Sequence, residues 1–186
     1  MAYPAKLTAE AILQAALELL EGGGEGALNM RTLAERLGVR PSSLYRHYAD
    51  RATLVAALED RAALALDGRL REASRDRPPG EALRAAARAY LDYSRAHPHL
   101  YGLLFAPRPP APAGPGPGKD LWNSVLHLVG AVTGNPDDTG AAVACCAFLH
   151  GYVGLERSGL FGLSGPQGGF ERGLEALIRG LPPERG

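Results

Sequence analysis

Between Asn29 and Arg51 the chain reads NMRTLAERLGVRPSSLYRHYADR, and a single glycine near its centre limits what this segment can fold into. Asn29 is a natural N-cap, since its side-chain oxygen accepts from the free amides that begin a helix. Met30, Leu33, Ala34 and Leu37 then recur at helical spacing. Gly38 stands where a helix ends on a positive φ, and Val39 is expected to turn back into the core. Pro41 suits the first turn of a new helix, where its missing N–H is harmless. That helix is predicted to run through Ser42, Ser43, Leu44, Tyr45, Arg46, His47 and Tyr48. Ala34 provides the small side chain that two helices crossing steeply over a short turn require. The segment is therefore predicted to be a helix-turn-helix whose second helix is sized for a DNA major groove.

Two surface helices of an all-α domain would share much of this pattern. The second helix argues for DNA, because it offers a core only Leu44 and part of Tyr45. From Arg36 to Ala49 there is no acidic residue, while Arg36, Arg40, Arg46 and His47 are present. Phosphate neutralisation needs such a local field, and reading base edges needs exposed donors.

At these residues the chain resembles the DNA-binding domain of the tetracycline-repressor (TetR) family of bacterial regulators. The likeness begins near Thr8 with AEAILQAALELLEGGGEGALNMRTLAERLGV and continues through SSLYRHYADRATLVAAL. It covers nearly all of the first 58 residues. One departure is Arg51, where the family more often has Lys, a change that keeps the charge of a phosphate contact. Further along, RAHPHLYGLLF and AFLHGYVGLERSGLFG resemble the C-terminal domain of a TetR subgroup marked by a Trp and a His-Gly pair, here Trp122 and His150-Gly151. The resemblance implies a homodimeric repressor released by a small-molecule inducer.

The rest of the chain is read as helical. Thr8 caps a first helix burying Ile12, Ala16, Leu19 and Leu20, which GGGEG at 22–26 ends. Asp50 caps a long helix to about Ala73 with Leu54, Leu58 and Ala62 in register, a strut between the two halves. A helix from Glu81 to about Ala96 carries Leu83, Ala87, Tyr90 and Leu91, and a short one covers His99 to Phe105. The stretch 106–118 holds six Pro and three Gly, so it is expected to be a surface loop. A helix from Asp137 to about Ser158 has one stripe through Ala141, Ala144, Cys145, Phe148, Leu149 and Tyr152. A second stripe passes through Cys146, His150, Val153 and Arg157. The final helix, Gln167 to about Gly180, carries Phe170, Leu174, Leu177 and Ile178. The expectation is an all-α chain of about nine helices, with a DNA-binding domain at 1–52 and a ligand-binding and dimerisation domain at 53–186.

At 186 residues the chain can bury a real core. Formal net charge is zero, so attraction to nucleic acid must come from the local basic patch. No leader-like or membrane-length apolar run is visible, which points to the cytoplasm and to no membrane partner. The expected partners are an operator duplex, a small-molecule effector and a second copy of the chain. Ser42, Ser43, Tyr45, Arg46 and His47 are assigned to groove and backbone, with Arg40 and Arg46 the best guanine readers. Arg31, Tyr48 and Arg51 are assigned to phosphates, with Thr32 and Pro41 nearby. A mostly apolar ligand pocket is expected among Tyr90, Tyr93, Tyr101, Leu104, Phe105, Trp122, Leu126, Phe148 and Glu156. Glu156 stands out because a carboxylate on an apolar face needs a partner, whether a ligand, an ion pair at a helix end or a dimer rim. Leu149, Tyr152, Val153, Phe170, Leu174, Leu177 and Ile178 are the expected dimer residues, packing as a four-helix arrangement about a two-fold axis.

Competing readings come from other classes. Cys146 and His150 share a helix face beside Cys145, which suggests a metal or redox sensor. Nothing resembles CxxC or HExxH, and no catalytic triad or phosphate loop is visible, so neither an enzyme, a cofactor nor a metal is expected. A helical adaptor without DNA affinity would explain the apolar stripes but leave the basic helix idle.

Overall fold

A computed structural model describes residues 7–106, 115–162, 165 and 168–181. Among them are nine α-helices, one 3₁₀ turn and no strand. The expected loop at 106–118 lies largely outside the described residues, as does Gln167, the expected start of the last helix. The residues group into two compact units. The first holds the residues up to Ala63 and the stretch that begins at His97; the second holds Leu64–Ala96 and the residues beyond the proline-rich stretch.

In the first unit, α1 (Ala9–Gly23) starts at Thr8, whose side chain accepts from the Ala11 amide. It buries Ile12, Leu13, Ala15, Ala16 and Leu20, while Leu19 is only half-buried. A 3₁₀ turn (Glu25–Ala27) leads to Asn29, whose Oδ1 accepts from the Thr32 amide at 2.8 Å and caps α2 (Met30–Leu37). Gly38 ends α2 with φ +65°. The Val39 amide bonds back to the Ala34 carbonyl at 3.0 Å and the Gly38 amide to that of Glu35 at 3.1 Å. This is the paired closure that a left-handed residue makes at a helix C-terminus. Val39 is half-buried. Next comes α3 (Pro41–Leu44), then the long α4 (Arg51–Ser74) capped by Asp50, whose Oδ1 accepts from the Thr53 amide at 2.7 Å. Leu54, Leu58 and Ala62 are buried in register. The short α6 (Pro98–Leu104) also belongs to this unit and packs on α1, where Glu21 accepts from the Leu100 amide.

The second unit takes the later part of α4 together with α5 (Pro79–Ala96), α7 (Pro117–Thr133), α8 (Thr139–Arg157) and α9 (Gly169–Gly180). α7 begins inside the expected loop, because Pro117 occupies its first turn, where proline is tolerated. Asp138 caps α8 by accepting from the Ala141 amide. α5 presents Arg84, Arg88 and Arg95 to acidic partners. Arg84 pairs with Glu175 and Arg88 with Glu171, both on α9, and Arg95 pairs with Glu156 on α8. Each is a two-pronged guanidinium–carboxylate contact. The hydrogen bond from its arginine holds each of these carboxyls below the ordinary glutamate range.

Candidate nucleic-acid interface and effector unit

The candidate recognition helix is shorter than its sequence suggests. Pro41 opens α3, but helical geometry stops at Leu44 and continues as turns through His47. The His47 and Tyr48 amides both bond to the Leu44 carbonyl, at 2.9 and 3.0 Å. This sharing of one acceptor is how a helix tightens and ends. Leu44 and Tyr48 face inward, and Tyr48 donates its hydroxyl to the Ala9 carbonyl at 3.1 Å. Tyr48 was expected on phosphate; its buried ring and internally bonded hydroxyl give it a packing role instead. Burial raises its phenol pKa.

What remains outside is a compact set. Pro41, Ser42, Tyr45, Arg46 and His47 are exposed, as is Arg40, while Ser43 and Thr32 are half-buried. Tyr45 keeps 50% of its surface accessible, more than any other large apolar side chain described in its unit. Charge is sorted across this face. Arg31 pairs with Glu35, Arg36 with Glu18 and Arg51 with Glu25. Arg40 and Arg46 make no ion pair among the described residues. The uncompensated arginines thereby flank α3, one just before it and one just after, where donors can meet phosphate and base edges.

The expected effector residues are divided between the two units. Tyr101 and Leu104 on α6, and Phe105 at its C-cap, belong to the first unit, where Tyr101 is buried with its ring centroid 4.8 Å from that of Phe105. Tyr90, Tyr93, Trp122, Leu126, Phe148 and Glu156 belong to the second unit. Tyr90 and Tyr93 are buried on α5, and Trp122 and Leu126 are half-buried on α7. The partner that Glu156 required is Arg95, 61 residues earlier in the chain, so its charge is already answered by an ion pair. Two open cavities flank α7. One, of about 370 Å³, is lined by Leu126, Gly130, Ala131 and Pro136 among others. The other, of about 250 Å³, is lined by Arg71, Ser74, Ser124 and Leu128. Both share Asn123 and His127, polar positions one turn apart on α7 that carry no apolar periodicity.

The dimer candidates are mostly consumed by their own unit. Val153, Phe170, Leu174 and Ile178 are buried, while Leu149, Tyr152 and Leu177 are half-buried. Phe148 stacks on Phe170 at 5.7 Å and Tyr152 meets Phe170 edge-on at 5.1 Å. The Phe148 ring lies so close to Gly173 that a Cβ there would come within 2.4 Å of it. A helix apolar on two sides hides which side serves its own core. Here α8 turns Ala142, Cys145 and Val153 inward and leaves Val143, Ala144, Ala147, Gly151, Gly154 and Leu155 exposed.

The cysteines are poor sensor material. Burial, with smaller contributions from Cys146 and Asp138, pushes the Cys145 thiol up to about 11, and burial raises Cys146 too. Thiolate chemistry needs the opposite shift. Among the described residues no group of three or more His, Cys, Asp or Glu side chains is placed to hold a metal, and no helix is long and apolar enough to cross a membrane.

Family models bring these features together. Residues 12–58 match the model of bacterial regulatory proteins of the tetR family, and residues 83–181 match that of the tetracyclin repressor-like C-terminal domain. The chain belongs to the TetR family. Similar curated proteins include an uncharacterized HTH-type transcriptional regulator of Mycobacterium tuberculosis, 32% identical over 104 residues, covering 56% of this chain and 48% of that protein. The tetracycline repressor protein class C of Escherichia coli is 46% identical over 55 residues, 30% of this chain and 25% of its own length. The chain thus spans about half or less of these curated relatives. Among solved structures, a protein of unknown function from Rhodococcus sp. RHA1 superposes with TM-score 0.82 at 24% identity, covering 97% of this chain and 99% of that one. A structure of BioQ with its double-stranded DNA operator gives TM-score 0.68 at 22% identity, covering 95% and 98%. A TetR variant from Acinetobacter baumannii AYE in complex with minocycline gives 0.69 at 24%, covering 94% and 96%. These likenesses establish the fold.

Proposed function

We propose that this TetR-family chain is a cytoplasmic, homodimeric transcriptional repressor that binds a palindromic operator and is released by a small-molecule effector. The observation that carries the reading is the charge sorting on the first unit: neighbouring arginines are ion-paired, while Arg40 and Arg46 flank an exposed Tyr45 without partners among the described residues. Arg40 and Arg46 read base edges, with guanine the natural target of a bidentate guanidinium. Ser42, Ser43, Tyr45 and His47 add groove and backbone contacts, and Arg31 and Thr32 hold phosphate at the flank.

Residues 1–52 serve DNA binding, and residues 53–186 serve effector binding and dimerisation. Trp122 and His150-Gly151 support membership of the TetR subgroup marked by a Trp and a His-Gly pair. The exposed face of α8, with Val143, Ala147, Gly151 and Leu155, pairs with its counterpart on a second copy, with Leu149, Tyr152 and Leu177 at its edge. The effector occupies the second unit, near Trp122 and Leu126. Release follows if the effector binds the form that cannot span two half-sites more tightly by a few kcal/mol. α4 is the natural carrier of that change, since residues 51–63 belong to one unit and 64–74 to the other. A regulator of this kind has no enzymatic role.

The test is selection of bound duplexes from a random pool by the purified protein. A palindromic consensus is expected. Arg46→Ala should then weaken binding to it by roughly 1–3 kcal/mol and relax one base position. No enrichment, or an unchanged affinity for Arg46→Ala, would count against the reading.

A further inference from the structure

We infer that Arg51 is a positioning residue of the DNA-reading segment and not a phosphate ligand, an inference that rests on the DNA-binding reading above. Its Nε donates to the Leu28 carbonyl at 3.0 Å, and its second nitrogen pairs with Glu25 Oε1 at 3.0 Å. Leu28 is 1% exposed and immediately precedes Asn29, the cap of α2. Its carbonyl receives no backbone amide among the described residues outside helices, so Arg51 is the donor that satisfies it. Arg51 itself is the first residue of α4, directly after the α3 turn. One side chain therefore joins the residue entering the helix-turn-helix to the residue leaving it, 23 positions later, closing a loop that contains α2 and α3.

Electrostatics favour the same assignment. The N-terminus of a helix carries partial positive charge, so a cation at its first position is disfavoured unless acceptors hold it. Glu25 and the Leu28 carbonyl are those acceptors. The planar guanidinium serves both at fixed angles, which an ammonium cannot reproduce. Arg40 and Arg46 differ in having no ion pair among the described residues, which leaves them available to base edges. A lysine in place of Arg51 would keep a phosphate contact but lose the clasp.

The experiment compares Arg51→Lys and Arg51→Gln with the unaltered chain at a temperature where all three are folded by circular dichroism. Operator and random-duplex affinities are read by anisotropy across a salt series. A positioning role predicts that both variants lose operator affinity about tenfold, the scale of a charge-assisted hydrogen bond, while random-duplex affinity and the salt slope hold. A phosphate contact predicts that Arg51→Lys binds as the unaltered chain does, and that Arg51→Gln lowers the slope by about one per subunit; that result overturns the inference. Hydrogen exchange needs no operator. Faster exchange of the amides of residues 28–33 in Arg51→Lys supports the clasp, and unchanged exchange refutes it. Failure of the unaltered chain to prefer any duplex would sink the regulator reading, leaving the exchange result to decide the clasp.

Discussion

Replacing Leu44 with Ala isolates what holds the DNA-reading segment in place. Leu44 is fully buried, and it and Tyr48 are the only inward-facing side chains from Arg40 to Asp50. Losing most of its side chain forfeits about 2 kcal/mol of transfer free energy. The cavity left behind brings the total to about 3 kcal/mol, within the range for buried leucines. A domain of ordinary stability, about 5–15 kcal/mol, stays folded after that loss. The segment itself has little in reserve: its turns are closed by the Ser43, His47 and Tyr48 amides and few other bonds. Short elements of this kind open locally well below the global unfolding free energy. Leu44→Ala should therefore melt a few degrees lower and show faster amide exchange at residues 41–48. It should bind operator roughly tenfold more weakly, because only the closed fraction is competent. Arg40 and Arg46 remain, so weak binding to random duplex should persist. Unchanged exchange at 41–48 together with unchanged operator affinity would refute the reasoning.

Three further outcomes follow from the second unit and its cysteines. The carboxyls of Glu156, Glu171 and Glu175 are held below the ordinary value of about 4.5 by Arg95, Arg88 and Arg84. Their contribution is present in full above that value and is lost as pH falls through the lower folded values. Acid titration by circular dichroism should show helix loss beginning below about pH 4.5, with a shallower pH dependence in Glu171→Gln; identical titrations of the two would contradict the assignment. With its thiol near 11 and buried, Cys145 should resist a disulfide reagent at neutral pH and react once denaturant is added; rapid labelling of the native protein would count against the site described. Val143→Asp places a charge on the 56%-exposed outer face of α8, so it should leave each subunit folded and convert dimer to monomer in sedimentation, whereas an intact dimer would move the interface elsewhere.

Local signals were legible in the sequence and long-range ones were not. Thr8, Asn29, Gly38, Asp50 and Asp138 act within four residues of themselves, so their roles as caps could be read from spacing, apart from Asp138, which falls one residue inside the expected helix. The run SSLYRHY carries no stop signal of its own. Its last tyrosine turns inward and donates to the Ala9 carbonyl, 39 residues away, a contact that local spacing does not reveal. The same limit hid Arg95 as the partner of Glu156 and Arg51 as the partner of Leu28. Pro117 was read as loop because it closes a run of six prolines among small residues, although it opens α7. On α8, apolar residues cover more than one face, and periodicity cannot say which face meets its own unit. The candidate DNA contacts were readable because exposure there leaves a positive signature: polar and basic residues where a packed helix would place apolar ones.

Hydroxyl-radical footprinting on the selected duplex tests the whole account most directly. Two protected patches, related by a dyad and centred one helical turn apart (~34–36 Å), are the expected result, and both should vanish together in Arg46→Ala. A single asymmetric patch, or uniform protection along the duplex, would contradict it.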